Sequence, residues 1–320
     1  MKGFEMKLSL VCPCYNEEKN VRAFLEACNS ALDGKVESYE IVFVNDGSKD
    51  NTWKELKALC AESDTNIKIV NFSRNFGKEA AMYAGLGKAE GEYVTIIDAD
   101  LQQRPEIAID MLEFLDNNPD FDCVAAYQAE RKEGFVLSFF KKCFYKLINK
   151  MCEIDFKQGA SDFRTFRREV VDAILSVKEY HRFSKGIFSW VGFNTHYIPY
   201  VAEERNAGKT SWSFIKLFKY AIDGIVAYTT APLRLSSIVG ILMSVFAAIY
   251  MLVVVIQKLT MGIAIPGYPT IIVLILFIGG LQLTSLGIMG EYISRIYIEG
   301  KRRPICIIKN YETNEKKDND

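Results

Sequence analysis

Short apolar runs alternate with stretches whose apolar positions recur every three or four residues, and this alternation fills the first half of the chain. Residues 7–12, 39–44, 67–72, 93–98 and 122–127 are β-prone runs bounded by turn residues. Behind the first, Asn16 offers an N-cap for a helix in which Val21, Phe24, Leu25, Cys28 and Leu32 repeat at helical spacing. Asp50 or Asn51 caps a second helix reaching residue 61, residues 78–88 form a third, and Pro105 opens a fourth. Proline costs little in a first turn, where its missing N–H would have no helical partner. Strands apolar on both faces and separated by helices predict an α/β fold, a parallel sheet covered on both sides. Ligands of such sheets bind beyond the carboxyl ends of the strands, where Asn16, Asp46, Arg74 and Asp98 all fall.

Further on the pattern changes. Residues 134–200 show one basic helical stretch (Lys141, Lys142, Lys146) and the polar run Gly159-Ala160-Ser161-Asp162-Phe163-Arg164. From 212 to 228, Phe214, Leu217, Phe218, Ala221 and Ile225 share one helical face, with Lys216, Lys219 and Asp223 on another. That suits a helix lying in the headgroup layer, or one packed on a soluble core. Residues 236–256 and 270–289 contain no charged side chain. Each run has the roughly 20 residues a helix needs to cross about 30 Å of hydrocarbon. Two buried core helices are the alternative, although core helices seldom stay uncharged so long.

The expected organisation is therefore an α/β domain over 1–210, an interfacial helix over 211–234, a transmembrane hairpin over 235–290 and a tail over 291–320, disordered from 312. Lys209, Lys216, Lys219 and Arg234 precede the first span, and Arg295, Lys301, Arg302 and Arg303 follow the second. The connecting loop, 257–269, carries only Lys258. Positive residues stay inside, so the α/β domain and both termini are expected in the cytoplasm, in a multi-pass protein of the cell membrane. Met1-Lys2-Gly3-Phe4-Glu5 runs into a strand without a signal-peptide stretch, in agreement.

Composition adds exclusions. A net charge of −1 gives no footing for nucleic-acid binding. The eight cysteines lie among apolar neighbours, and Cys12-Pro-Cys14 is too tight for a zinc knuckle, so reduced and mostly buried thiols are expected. No charged residue interrupts either span, so neither carries an ion path. The Gly279-Gly280 pair allows close helix packing and hence a homo-oligomer.

The chemistry centres on Asp98-Ala99-Asp100 at a strand end. Two hard oxygen donors one residue apart, with Gln102 beside them, suit Mg²⁺ or Mn²⁺ bridging a diphosphate. Such an ion neutralises charge on a departing nucleoside diphosphate. A solvated turn is the plain alternative for an isolated pair of this kind.

Several segments together resemble the family 2 glycosyltransferases of the polyprenyl-phosphate type, the group of dolichyl-phosphate mannose synthase and the bactoprenol glucosyltransferases. They are Val11-Cys12-Pro13-Cys14-Tyr15-Asn16-Glu17-Glu18, Val44-Asn45-Asp46-Gly47-Ser48, Ser73-Arg74-Asn75-Phe76-Gly77-Lys78-Glu79 and Asp98-Ala99-Asp100-Leu101-Gln102. Ser161-Asp162-Phe163-Arg164, Glu204-Arg205-Asn206-Ala207-Gly208-Lys209, Gly290-Glu291-Tyr292 and Arg303-Pro304 follow in order. The resemblance implies the GT-A nucleotide-sugar-binding fold. It implies that Pro13, Tyr15, Asn16, Glu17, Asp46 and Ser48 hold the nucleoside, and that Lys78 and Asp98 also contact the nucleotide-sugar. Asp98, Asp100 and Gln102 would surround the metal and diphosphate, with Arg205 and Lys209 closing over the phosphates. Arg131, Lys142 and Arg164 are the candidates for the acceptor phosphate. Asp100, Asp162 and Arg164 are the residues expected to carry catalysis. Asp162 orients Arg164, binds the sugar or stands where a base stands in relatives with alcohol acceptors.

The implied reaction moves a hexose from a nucleotide-sugar, UDP by preference, onto a polyisoprenyl (undecaprenyl) phosphate. Gln103-Arg104-Pro105-Glu106 departs from the double proline common after this motif in relatives, and Gly208-Lys209-Thr210-Ser211-Trp212 departs from the usual clamp. A processive polysaccharide synthase and an inactive membrane adaptor of the same fold are the competing readings. The synthase would carry a Gln-x-x-Arg-Trp segment and further spans, and neither is seen in this sequence.

Overall fold

The computed structural model of the chain describes residues 6–128, 160–201, 226, 229–261 and 267–314. The apolar alternation resolves into β1 (Leu8–Cys14), α1 (Val21–Leu32), β2 (Tyr39–Asn45), α2 (Thr52–Glu62), β3 (Asn66–Phe72), α3 (Lys78–Leu86), β4 (Tyr93–Ile96), α4 (Glu106–Asn117) and β5 (Cys123–Gln128). Then come β6 (Ala160–Arg167), α5 (Arg168–Ser176), α6 (Ser184–Trp190), β7 (Thr195–Tyr200), the long helices α7 (Ala231–Met261) and α8 (Tyr268–Gly300), and β8 (Ile308–Thr313). The chain divides into two units, one of 1–150, 154–218 and 304–320, the other of 151–153 and 219–303.

The first unit is built on a sheet of order β7-β5-β6-β4-β1-β2-β3-β8. Strands β1 to β4 pair in parallel, as both-face burial predicts. One core beneath α1, α2 and α4 takes Leu10, Phe24, Phe43 and Phe163; the other, beneath α3, α5 and α6, takes Val11, Val44, Val94 and Phe166. Two strands depart from the parallel expectation. β6 runs antiparallel to β4 and β5, and β8 runs antiparallel to β3. The polar run ending at Arg164 is thus the start of a central strand. Its Phe163 and Phe166 are buried in opposite cores, and Thr165 bonds Thr95 across the ladder at 2.7 Å.

The C-terminal tail needs correction. α8 continues to Gly300, and the tail, expected to be disordered from 312, still carries Glu312 and Thr313 in β8. An open β3 edge would leave a row of unpaired N–H and C=O groups, and β8 satisfies them. The Asn314 side chain secures the strand, donating to Ser63 O at 3.0 Å and Thr65 O at 2.8 Å and accepting from Ile67 N at 2.7 Å.

Asn16 does not cap α1, which begins five residues later. It sits at φ 58° instead, a left-handed conformation that asparagine tolerates better than most residues. Asp50 does cover the start of α2, accepting from Thr52 N at 3.0 Å. The cysteines that the structure describes are free thiols, five of them buried.

In the second unit, α7 and α8 are each long and apolar enough to cross a membrane, with mean hydropathies of 2.8 over Ala231–Gln257 and 1.9 over Val273–Gly300. Leu242, Phe246, Ile275 and Leu283 are exposed on them, so these are not core helices. The amphipathic stretch over 212–228 lies almost wholly outside the described residues.

Candidate active site

The carboxyl ends of β1, β2 and β4 adjoin because the chain builds β2 and β3 on one side of β1 and then returns to lay β4 on the other. Such a reversal opens a crevice between the outgoing loops. The first two loops are sewn together. Asn16 N donates to Ser48 Oγ at 2.9 Å, Lys49 N donates to Asn16 Oδ1 at 2.9 Å, and Glu17 N donates to Thr52 Oγ1 at 2.8 Å. The loop after β3 lies against them, with Phe76 N and Gly77 N donating to the Asp46 carboxylate at 2.6 and 2.9 Å. Burial pushes that carboxyl above its ordinary value, against the pull of the two amides. Gly47 admits no side chain there, since a Cβ would stand 2.4 Å from the Arg74 carbonyl carbon at a φ of 60°.

Beyond β4 the turn 98–102 bends through Leu101 at φ 59°, a strained position for a branched side chain. Lys78, the first residue of α3, reaches the Asp98 carboxylate at 2.6 Å and Asp162 on β6 at 3.3 Å. The ends of three strands, β3, β4 and β6, thus meet at one ammonium. Burial works against the Lys78 charge, but Asp98 and Asp162 more than offset it and hold its pKa above the ordinary value. Burial likewise works to raise Asp162, and Lys78, Lys185 and Arg164 outweigh it, so this carboxyl stays below its ordinary value. It is a firmly ionised group and a weak base.

The other expected residues divide three ways. Pro13 lies in β1, Tyr15 is exposed beside it, and Glu17 accepts from Asn20 Nδ2 at 2.6 Å. Asp100 accepts from Gln102 N at 3.2 Å within the strained turn. Arg164 is brought near Asp162 but not into open space: it is 3% exposed, its Nε donates to Ser161 O at 3.1 Å, and its guanidinium stacks over Phe188. Its influence on the site passes through the charge of Asp162. Arg131, Lys142, Arg205 and Lys209 lie outside the described residues.

The profile of glycosyl transferase family 2 matches residues 9–175, the segment that carries all of these described side chains except Lys185 and Phe188. The chain belongs to glycosyl transferase family 2. A second profile, the GtrB C-terminal hairpin, matches residues 231–296 and so covers α7 and most of α8. The enzyme is 42% identical to CsbB of Bacillus subtilis (strain 168), over 94% of this chain and 91% of that one. It is 41% identical to the bactoprenol glucosyl transferase of Shigella phage SfV, over 95% and 99%. Identity to the prophage bactoprenol glucosyl transferase homolog of Escherichia coli (strain K12) is 40%, over 95% and 99%. Among solved structures, mannosyl-3-phosphoglycerate synthase from Rubrobacter xylanophilus aligns over 69% of this chain and 73% of that one, at 17% identity and a TM-score of 0.49.

In this family 2 glycosyltransferase the motif residues rest on others that sequence spacing does not reveal. Gln103, 7% exposed, accepts from Asp98 N at 3.1 Å and so anchors the carboxylate from behind. Lys185 adds positive charge to Asp162 from α6. Glu79 takes the backbone N–H of Ser184 at 2.8 Å and also its hydroxyl, tying α3 to the start of α6. Gln103 adjoins one motif and Glu79 ends another, but Ser184 and Lys185 lie far from both in the chain, and no periodicity links them.

Burial, reinforced by Asp162, raises the Glu79 carboxyl from 4.5 to about 7. Between those pH values the folded state holds a proton that the unfolded chain has released, so stability falls as pH rises through that window. Glu79→Gln keeps an acceptor for Ser184 and removes the charge. It is expected to gain roughly 1–3 kcal/mol on the wild type between pH 4.5 and 7 and to hold that gain above it. Thermal midpoints of both proteins at pH 5, 6, 7 and 8 check this; parallel curves would contradict it.

Proposed function

We propose that the enzyme transfers a hexose from a nucleotide-sugar, a UDP-sugar by preference, to a polyisoprenyl phosphate of the undecaprenyl type. The observation that carries this reading is the convergence of Asp98 and Asp162 on Lys78 at the carboxyl end of the sheet. The names of the phage and prophage relatives point to the same acceptor.

The donor set fits a divalent cation. Among the described residues no three His, Cys, Asp or Glu side chains form a complete cage. Magnesium-type sites on nucleotide substrates commonly use one or two carboxylates and complete the shell with phosphate oxygens and water. Asp98, Asp100 and Gln102 would hold Mg²⁺ or Mn²⁺, which when bound supplies Lewis-acid neutralisation of the leaving diphosphate. The chain's own part is positional. Asp46 and the loop around Asn16 receive the nucleoside. Lys78, at the N-terminus of α3, offers a cation that a diphosphate oxygen can take over from Asp98. Arg205, Lys209, Arg131 and Lys142 would add cations for the donor and acceptor phosphates.

A phosphate acceptor arrives already as an oxygen anion, so the reaction needs alignment and charge balance more than a strong base. An Asp162 carboxyl held low in pKa agrees with that need. Asp162→Asn is expected to lower kcat by about 10²-fold with a smaller change in donor KM, because the charge balance on Lys78 is lost at the reacting centre. Near wild-type turnover would remove Asp162 from the mechanism.

The cytoplasmic side is supported by the basic residues flanking the hairpin, and β8 supports a common side for both of its ends. The first unit supplies chain on both sides of α7 and α8, and β8 pairs with β3, so the chain must return to the side it left. Oligomerisation through the Gly279-Gly280 face belongs to the same proposal, since nothing lies within 4 Å of where their Cβ atoms would stand.

The test is a panel of radiolabelled nucleotide-sugars given to membranes with undecaprenyl phosphate, with and without a chelator. Chelator-sensitive label in an organic-extractable lipid is the expected result. Polymer would indicate a processive synthase, and no turnover with any donor would indicate an adaptor.

A further inference from the structure

We propose that Asn71, backed by Asn310 on the strand that follows the hairpin, is a positioning residue of the nucleotide site. This rests on the reading that the Asn16 and Asp46 loops receive the nucleoside. A single chain of side-chain hydrogen bonds crosses four neighbouring strand ends from that loop to the far edge of the sheet. Asn16 N donates to Ser48 Oγ at 2.9 Å, and Ser48 Oγ donates to Asn45 Oδ1 at 2.5 Å. Asn45 Nδ2 donates to Asn71 Oδ1 at 2.8 Å, and Asn71 Nδ2 donates to Asn310 Oδ1 at 3.4 Å.

Every donor in the chain points the same way, from β1 outward to β8, so each link polarises the next. Ser48 N also donates to Asn45 Oδ1, at 3.3 Å, which sets the first amide, and reversing either amide behind it would then place two donors face to face or two acceptors face to face. Asn45 is 2% and Asn71 8% exposed, so both amides depend on these partners rather than on water. At the inner end the chain terminates on the backbone N–H of Asn16, the residue held at φ 58°. A left-handed non-glycine residue costs energy unless its surroundings over-determine it, and this N–H bond is part of what determines it.

The same C-terminal segment meets the site a second time. Ile307 O accepts from Ser73 N at 3.0 Å, at the start of the loop whose Phe76 and Gly77 amides grip Asp46. Ile305 and Cys306, like Phe76, pack against the core cluster that includes Phe72. Chain that returns from the hairpin therefore buttresses both loops expected to receive the nucleoside. Asn71 and Asn310 touch no substrate in this scheme; they act through Asn45, Ser48 and Asn16.

The experiment measures UDP and GDP binding by calorimetry, donor KM and kcat, and the thermal midpoint, all on the full-length protein in detergent. Asn71→Leu should weaken nucleotide binding and raise donor KM by about tenfold, with kcat at saturating donor within about twofold. Asn310→Leu should raise KM by about two- to threefold, because its bond is the longest link, and Asn310→Asp, which keeps the acceptor, should restore it. Asn314→Ala is the control: it loosens the same strand outside the relay and should lower the midpoint without changing KM. Unchanged affinity in Asn71→Leu, or an equal KM rise in Asn314→Ala, would overturn the relay. Should Asn71→Leu fail to fold, the pair at the exposed position 310 decides, and equal KM values for its Leu and Asp forms would overturn it. A wild type that binds neither nucleotide would refute the functional reading itself.

Discussion

Asp98→Asn is expected to lower sugar transfer by about 10²–10³-fold while leaving the fold in place. Asp98 is the carboxylate nearest Lys78, at 2.6 Å, and one of the two hard donors expected to hold a divalent cation. Asparagine preserves the shape and the backbone N–H that Gln103 accepts, so the turn should survive. What disappears is the negative charge that balances Lys78 and binds a cation at the departing diphosphate. Preorganised charge of this kind acts in a partly closed crevice, where it is worth more than in water. Lipid-extractable label per unit time, set beside the thermal midpoint, separates lost chemistry from lost structure. Turnover within a few-fold of wild type would move the reacting centre elsewhere.

Lys68→Met is expected to cost about 3–5 kcal/mol of stability, which for a sheet unit of this size is a fall in midpoint of roughly 10 °C or more. Lys68 is 2% exposed and pairs with Glu40, fully buried, at 2.7 Å and with Glu90 at 2.6 Å. The second oxygen of Glu40 accepts from Ser9 Oγ at 2.5 Å and Glu90 N at 2.7 Å. These residues lie near the amino ends of β1, β2 and β3, away from the reacting centre. Methionine fills the lysine's volume but leaves Glu40 as a buried charge with its cation gone. The double variant Glu40→Gln with Lys68→Met removes both charges and should recover a large part of the loss. A midpoint for Lys68→Met close to wild type would contradict this account, and kcat is expected to stay within a few-fold throughout.

The two variants lie at opposite ends of one sheet, and the difference in how visible they were in the sequence is instructive. Asp98 and Asp100 follow a strand that is apolar on both faces, so strand period and position alone mark them as strand-end acids. Lys68 and Glu40 sit inside runs that read as strands, where a charge looks like a solvent-facing residue. Only the pairing of β2 with β3 shows that they face one another inside. Asn16 shows the same limit from another side: its type and place suggest a helix cap, yet the chain uses it as a left-handed tie between loops. Both readings satisfy local rules, and a partner 32 residues away decides between them.

The local elements and the class of chemistry are legible along the chain. Period-two and helical repeats depend on neighbours within a few residues, charge-free runs depend on length alone, and the motif order carries the family. The tertiary structure decided the rest. It turned β6 and β8 against the parallel strands, closed the β3 edge with a strand that reaches into the segment expected to be disordered, and stacked Arg164 on Phe188. It also brought Lys78 between Asp98 and Asp162. Those outcomes come from hydrogen-bond partners and charges separated by tens to hundreds of residues, and no pattern along the chain encodes such distances. The strand-end carboxylates were legible because strand geometry is local; the lysine that balances them became visible only when the sheet was assembled.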